Sequence, residues 1–235
     1  TFLGCTTGTF ATTTEHCIAI GRNALAGAST GTPATGDSNI AIGSFALDAT
    51  TSGYANIAIG YDAGGTFTDN HNNIAIGAYA LDAANTGEHT NIAIGNYALS
   101  TETSGAVGVV AIGYKALEDQ NVASANNVAV GYNAALNLTS GKESVYMGYL
   151  AGGAGVITGS NNTVLGHKAA LNAVGMSSSV FIGESSGGLG VVAGADNTCV
   201  GRSTGYSLTS GASNVLIGRD AGKFLTDGAN NIAIG

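Results

Sequence analysis

Asn56-Ile57-Ala58-Ile59-Gly60 is the stretch that decides the fold, because versions of it recur along the whole chain. Its closing glycine has counterparts at Gly4, Gly21, Gly43, Gly77, Gly95, Gly113, Gly131, Gly148, Gly166, Gly183, Gly201, Gly218 and Gly235. Successive intervals are 17 or 18 residues, with a single interval of 22 between Gly21 and Gly43. Self-similarity at a short fixed period marks a stacked repeat architecture. The spacing therefore predicts one repeat array over residues 1–235, about thirteen coils, with an insertion loop at about 28–37.

The run before each glycine alternates with period two, as a strand does. A unit of this length is too short for a helix pair, and Gly, Thr, Ser and Asn fill the remainder. The predicted class is all-β, a parallel β-roll or β-solenoid. The residues one and three before the glycine are aliphatic, as in Ile40 and Ile42, Ile57 and Ile59, Ile74 and Ile76, Ile92 and Ile94, or Val215 and Ile217. These pairs are expected to point into the coil. The residue between them is then expected to point outward. It is alanine early in the chain and Tyr146, Val164, Phe181 and Leu216 later. An outward apolar ladder needs cover, so these four are expected at a chain–chain interface.

Four residues before the glycine, asparagine recurs: Asn39, Asn56, Asn73, Asn91, Asn127, Asn162, Asn197, Asn214 and Asn231. Stacking brings such amides to strand spacing, where they form a hydrogen-bonded ladder. Past the glycine, the third position is usually alanine and the fourth is either leucine (Leu25, Leu47, Leu81, Leu99, Leu117) or glycine (Gly64, Gly152, Gly187, Gly205, Gly222). The two subtypes are expected to fill one interior space from different points of the coil.

Only 9% of the residues are charged and the net charge is −8, which argues against nucleic acid, since phosphate binding requires basic patches. No apolar run approaches the ~20 residues of a membrane helix, so membrane insertion is not expected of this segment. Cys5, Cys17 and Cys199 lack metal-ligand spacing. The sequence starts within one motif and stops on the glycine of another, and it reads as a window on a longer fibre.

These motifs resemble the head repeats of trimeric autotransporter adhesins, with their Val-Ala-Ile-Gly-like runs. They are more similar to the longer repeats of bacteriophage tail fibres, where runs like Asn91-Ile92-Ala93-Ile94-Gly95-Asn96-Tyr97-Ala98-Leu99 alternate with Thr-Ser-Gly turns. The resemblance implies a left-handed roll and a parallel homotrimer. It further implies a non-catalytic fibre segment on a virion, extending toward the host cell, with a host-surface receptor or glycan as outside partner. The alternative owner is a bacterial surface adhesin. A monomeric surface- or glycan-binding solenoid is the third reading, and it lacks a uniform polar array.

Enzyme-like motifs arise from the repeat itself. Gly183-Glu184-Ser185-Ser186-Gly187 and Gly201-Arg202-Ser203-Thr204-Gly205 match a nucleophile elbow, yet Gly60-Tyr61-Asp62-Ala63-Gly64 holds the same register without the serine. Gly188-Leu189-Gly190-Val191-Val192-Ala193 has no βαβ context. His71 and His89 share a register, with Asp69 nearby, but show no ligand spacing. No catalytic residue, metal or cofactor is expected.

Overall fold

The computed structural model describes residues 1–4, 15–27, 35–83, 87–121, 125–188 and 190–235. Of the expected insertion loop, residues 28–34 lie outside the described residues, as does Cys5. The chain is an all-β parallel solenoid, with no helix among the described residues. It divides into two compact units, one comprising 1–115 and 121–125, the other 116–120 and 126–235.

The first unit carries β1 (Phe2–Leu3), β2 (Ile18–Ile20), β3 (Ile40–Ile42), β4 (Ile57–Ile59), β5 (Ile74–Ile76), β6 (Ile92–Ile94) and β7 (Val110–Ile112). Each strand pairs in parallel with the next, with alanine on alanine, as in Ala41↔Ala58 and Ala75↔Ala93. The second unit carries β8 (Val128–Val130), β9 (Val145–Met147), β10 (Thr163–Leu165), β11 (Val180–Ile182), β12 (Thr198–Val200), β13 (Val215–Ile217) and β14 (Ile232–Ile234). Its strands pair in the same way, bringing Tyr146 onto Val164 and Val164 onto Phe181.

From β2 onward every strand stops at the residue before a repeat glycine. At Gly60 the backbone has φ +142°, a region that side-chain-bearing residues rarely enter. A Cβ there would meet the carbonyl oxygen of Gly77 at 2.5 Å. Glycine stacks on glycine because the coils leave no room for anything else at this corner.

Sequence reasoning placed the strands correctly and their faces wrongly. In β3 to β8 the central residue is buried and the two flanking residues are half-exposed. Ala41, Ala58, Ala75 and Ala93 are fully enclosed, and so are Tyr146, Val164, Phe181 and Leu216. Those four are core residues of one chain, not an interface. Ile40 and Ile42, Ile57 and Ile59, Ile74 and Ile76, Ile92 and Ile94 face outward, and so do Val215 and Ile217. The physical cause is the width of the coil. A three-residue strand bounded by turns can send one side chain inward and two outward, and the narrow interior has room for only one.

That interior is filled by exchange of volume. Where the strand centre is Ala19, Ala41, Ala75, Ala93 or Ala111, the fourth residue past the glycine is Leu25, Leu47, Leu81, Leu99 or Leu117, each fully buried. Where the centre is Tyr146, Phe181 or Leu216, the corresponding residue is Gly152, Gly187 or Gly222, and a Cβ at these glycines would meet the strand side chain within 2.7–2.8 Å. The coil at Gly64 keeps Ala58 and fills the space with Phe67 instead. The expectation of two subtypes sharing one pocket holds. The leucines reach it from left-handed backbone, φ 49° to 53°, a conformation that costs roughly 1–2 kcal/mol per residue and is offset by burying the side chain.

Candidate functional surface

The asparagine column is buried from Asn39 to Asn214 and hydrogen-bonded from coil to coil. The Asn39 side-chain oxygen accepts from the Asn56 backbone N–H at 2.9 Å and from the Asn56 amide at 3.2 Å. Asn73 bonds to the Asn56 oxygen in the same two ways, and the Asn91 N–H donates to Asn73 at 2.9 Å. Each amide nitrogen also donates along the stack, for example Asn56 to the Asn70 carbonyl at 2.7 Å and Asn162 to the Met176 carbonyl at 2.9 Å. In the second unit Ser144 and Ser179 alternate with asparagine, and their hydroxyls accept the Asn162 and Asn197 N–H groups at 3.0 and 3.1 Å. Asn127 and Asn162 in turn accept from Ser144 and Ser179. Asn197 accepts from Asn214, and Asn214 from Asn231. The column's task is to present one acceptor per coil to a backbone donor that no strand reaches. It is structural.

The outer face of each sheet is the larger candidate. Within each unit apolar side chains stand in two rows, one from the first and one from the last residue of each strand, interrupted in the second unit by Thr163 and Thr198 and by no charged residue. Exposure reaches 42% at Met147 and 39% at Ile217. Contiguous exposed apolar surface of this kind marks a candidate interaction site.

A third feature escaped the sequence reading. One or two residues past the glycine, aromatic side chains form a column: Phe45, Tyr61, Tyr79, Tyr97 and Tyr114 in the first unit, with ring centroids 5.7, 5.3, 5.1 and 6.3 Å apart. Tyr132, Tyr149 and His167 do the same in the second unit, at 5.4 and 5.3 Å. Backbone bonds fix the register, such as Tyr79 N–H to the Tyr61 carbonyl at 2.9 Å. The recurring Gly-Tyr pairs at Gly60, Gly113, Gly131 and Gly148 were the available signal.

Three carboxylates of the first unit sit half-buried. Burial, together with the charge of Asp62, pushes Asp48 up to about 6. Burial raises Asp82 to about 6 and Asp62 also rises, for the same cause. Inside the first unit, Glu88 accepts from the Asn70 amide at 2.7 Å and from the Gly105 N–H at 3.1 Å. Its pKa is raised chiefly by burial, with Glu102 adding to it.

His71 and His89 do stack on adjacent coils, ring centroids 3.5 Å apart, with Tyr54 stacked on His71 at 4.6 Å. No group of three or more His, Cys, Asp or Glu suited to a metal ion occurs among the described residues. Ser185 and Ser203 occupy left-handed corners, while the neighbouring Ser186 and Thr204 hydroxyls donate to the Cys199 and Gly218 carbonyls at 3.1 and 2.7 Å. Burial pushes the Cys199 thiol up to about 12, which leaves it inert as a nucleophile. Thr35, Gly36, Asp37 and Tyr54 border an open cleft of about 290 Å³. No family model matches the chain, and no characterised protein or solved structure is significantly similar to it.

Proposed function

We propose that this chain is a non-catalytic structural segment of a homotrimeric fibre, of the kind carried by phage tails, reaching from the virion toward the host-cell surface. The observation that supports it is the outward aliphatic face. Most coils offer two large apolar side chains on the outer face of their strand, Thr163 and Thr198 being the exceptions, and burial of each such side chain contributes about 1.5–3 kcal/mol. Repeated along a stack, that is a surface for continuous association with identical stacks. Coils in register match aliphatic row to aliphatic row, and parallel copies keep the match along their length. Three chains and a left-handed roll come from the resemblance of the repeats to tail-fibre and adhesin-head repeats. The low charge of the chain fits burial of one face in an assembly.

Light scattering tests the reading. The wild-type chain should show three times its 22.9 kDa mass. Ile59→Asp combined with Ile94→Asp places charge on the outer face without touching the interior, and should yield a folded monomer with unchanged β-sheet circular dichroism. A monomeric wild type would refute the fibre reading. Unfolding of the double variant with no monomer stage would show that these side chains serve the coil itself.

A further inference from the structure

We propose that Thr163 and Thr198 fix the register in which copies of this chain pack, each meeting the same residue of the neighbouring copies at one height. The proposal deepens the fibre reading and rests on it for the partner, further copies of the chain.

The two threonines open β10 and β12, where β8, β9, β11, β13 and β14 carry Val128, Val145, Val180, Val215 and Ile232. Both stand on the half-exposed outer flank, with the strand centres Val164 and Cys199 buried behind them. Among the described residues neither hydroxyl has a hydrogen-bond partner. Threonines at the turns do: Thr51 donates to the Thr68 carbonyl at 3.0 Å, Thr209 to the Thr226 carbonyl at 2.9 Å and Thr204 to the Gly218 carbonyl at 2.7 Å. Those hydroxyls close the gap between coils. A strand side chain stands off the sheet, whereas the carbonyls lie within it, so Thr163 and Thr198 present their hydroxyls outward.

An apolar face built from repeats is ambiguous as an interface. Its rungs recur about every 4.8 Å, so copies displaced by one coil match nearly as well as level copies. A polar residue at one position of an apolar seam removes that degeneracy. Covered by an aliphatic neighbour, a hydroxyl loses water and gains no partner, which disfavours the arrangement roughly tenfold or more. Displacement by one coil sets Thr163 against Val145 or Val180, and Thr198 against Val180 or Val215. Displacement by two coils puts Thr163 on Thr198 but leaves the remaining threonines against Val128 and Ile232. Only level, parallel copies pair both. A threonine hydroxyl is donor and acceptor at once, so three at one height satisfy each other in a ring. The rows from the first residue of each strand must then face one another. The other row keeps Leu165 and Val200 at those rungs, which confines the polar interruption to the row that meets itself.

The test co-expresses two tagged forms of the full chain, one with Val145→Cys and one with Val180→Cys, and oxidises the assembly. In level copies these positions lie two coils, roughly 10 Å, apart, beyond disulfide reach. Peptide mass spectrometry should therefore find bridges joining like positions and almost none joining position 145 to position 180. Adding Thr163→Val with Thr198→Val to both forms keeps the shape and removes the hydroxyls. The three-chain mass should persist, while unlike bridges rise about tenfold or more. Thr163→Ser with Thr198→Ser keeps the hydroxyls and should retain the like-only pattern. The proposal is overturned if the valine pair leaves the pattern unchanged or loses the three-chain mass, if the serine pair bridges as the valine pair does, or if threonine-bearing assemblies of three form no like bridges. Each of those results leaves the fibre reading standing, whereas a monomeric wild type removes both.

Discussion

Replacing Phe181 with alanine and Gly187 with leucine together should cost less than either change alone. Phe181 fills the interior of its coil from the strand, and a Cβ added at Gly187 would lie 2.7 and 2.8 Å from its ring. Phe181→Ala by itself opens a hole, for which about 3–5 kcal/mol is the usual loss. Gly187→Leu by itself drives a side chain into an occupied space, about 1–3 kcal/mol, and places leucine in left-handed backbone for roughly 1–2 kcal/mol more. The double variant recreates the arrangement that Ala75 with Leu81 and Ala93 with Leu99 already adopt. Backbone geometry allows it: Gly187 has φ 61°, against 50° and 52° at Leu81 and Leu99. The Gly187 N–H donates to the Thr204 carbonyl as the Leu81 N–H does to the Ala98 carbonyl.

The double variant should therefore retain the left-handed cost and a small packing mismatch against Val192, together about 2–3 kcal/mol. Measured as a double-mutant cycle, the coupling should be favourable by about 3 kcal/mol or more, at the upper end for side chains in contact. Repeat stacks unfold in parts, so the assay should be local: hydrogen exchange of peptides covering residues 178–205, with a urea midpoint as the global check. Additivity within about 0.5 kcal/mol would refute the shared-space account.

The asparagine column makes a graded prediction. Asn73→Leu strands the Asn91 N–H and the Glu88 carbonyl and should cost about 2–3 kcal/mol, whereas Asn73→Ser keeps an acceptor, as Ser144 and Ser179 do, and should cost about half as much, read from urea denaturation. Acidity should act on the first unit through Asp48 and Asp82. Their pKa values rise to about 6 in the folded chain, so the folded state binds more protons, and stability increases as pH falls from about 6.5 toward 4. Both groups are half-exposed, which holds the combined gain to about 1–2 kcal/mol. His89, whose pKa is lowered by burial and by His71, opposes the gain below its ordinary value. Asp62→Asn isolates the carboxylates: thermal melts should show higher stability at pH 7 and a shallower rise on acidification. An unchanged pH profile in that variant would refute the coupling of Asp62 to its neighbours.

What could be read from residues alone, and what could not, divides along one physical line. Period, strand position, glycine corners and the asparagine ladder all follow from spacing, and spacing survives in sequence. Facing does not, because alternation defines two faces without saying which is inside, and both faces here are apolar. Ile57 and Ile59 looked like core by bulk, Ala58 like surface by smallness. The inference failed because bulk tracks burial only where the interior has room. In a coil closed by three-residue strands the interior takes one side chain per strand, so smallness at the centre signals crowding from the opposite wall. The discriminating signal was present in the repeats. Alanine at the strand centre accompanies leucine four residues past the glycine in five coils, and Tyr146, Phe181 and Leu216 accompany glycine there. Two positions that trade volume must share an enclosed space, whereas Ile57 and Ile59 trade with nothing inside the coil. Placing the aliphatic pair outside also moves the exposed apolar surface from the strand centre to its two flanks, where Thr163 and Thr198 interrupt it.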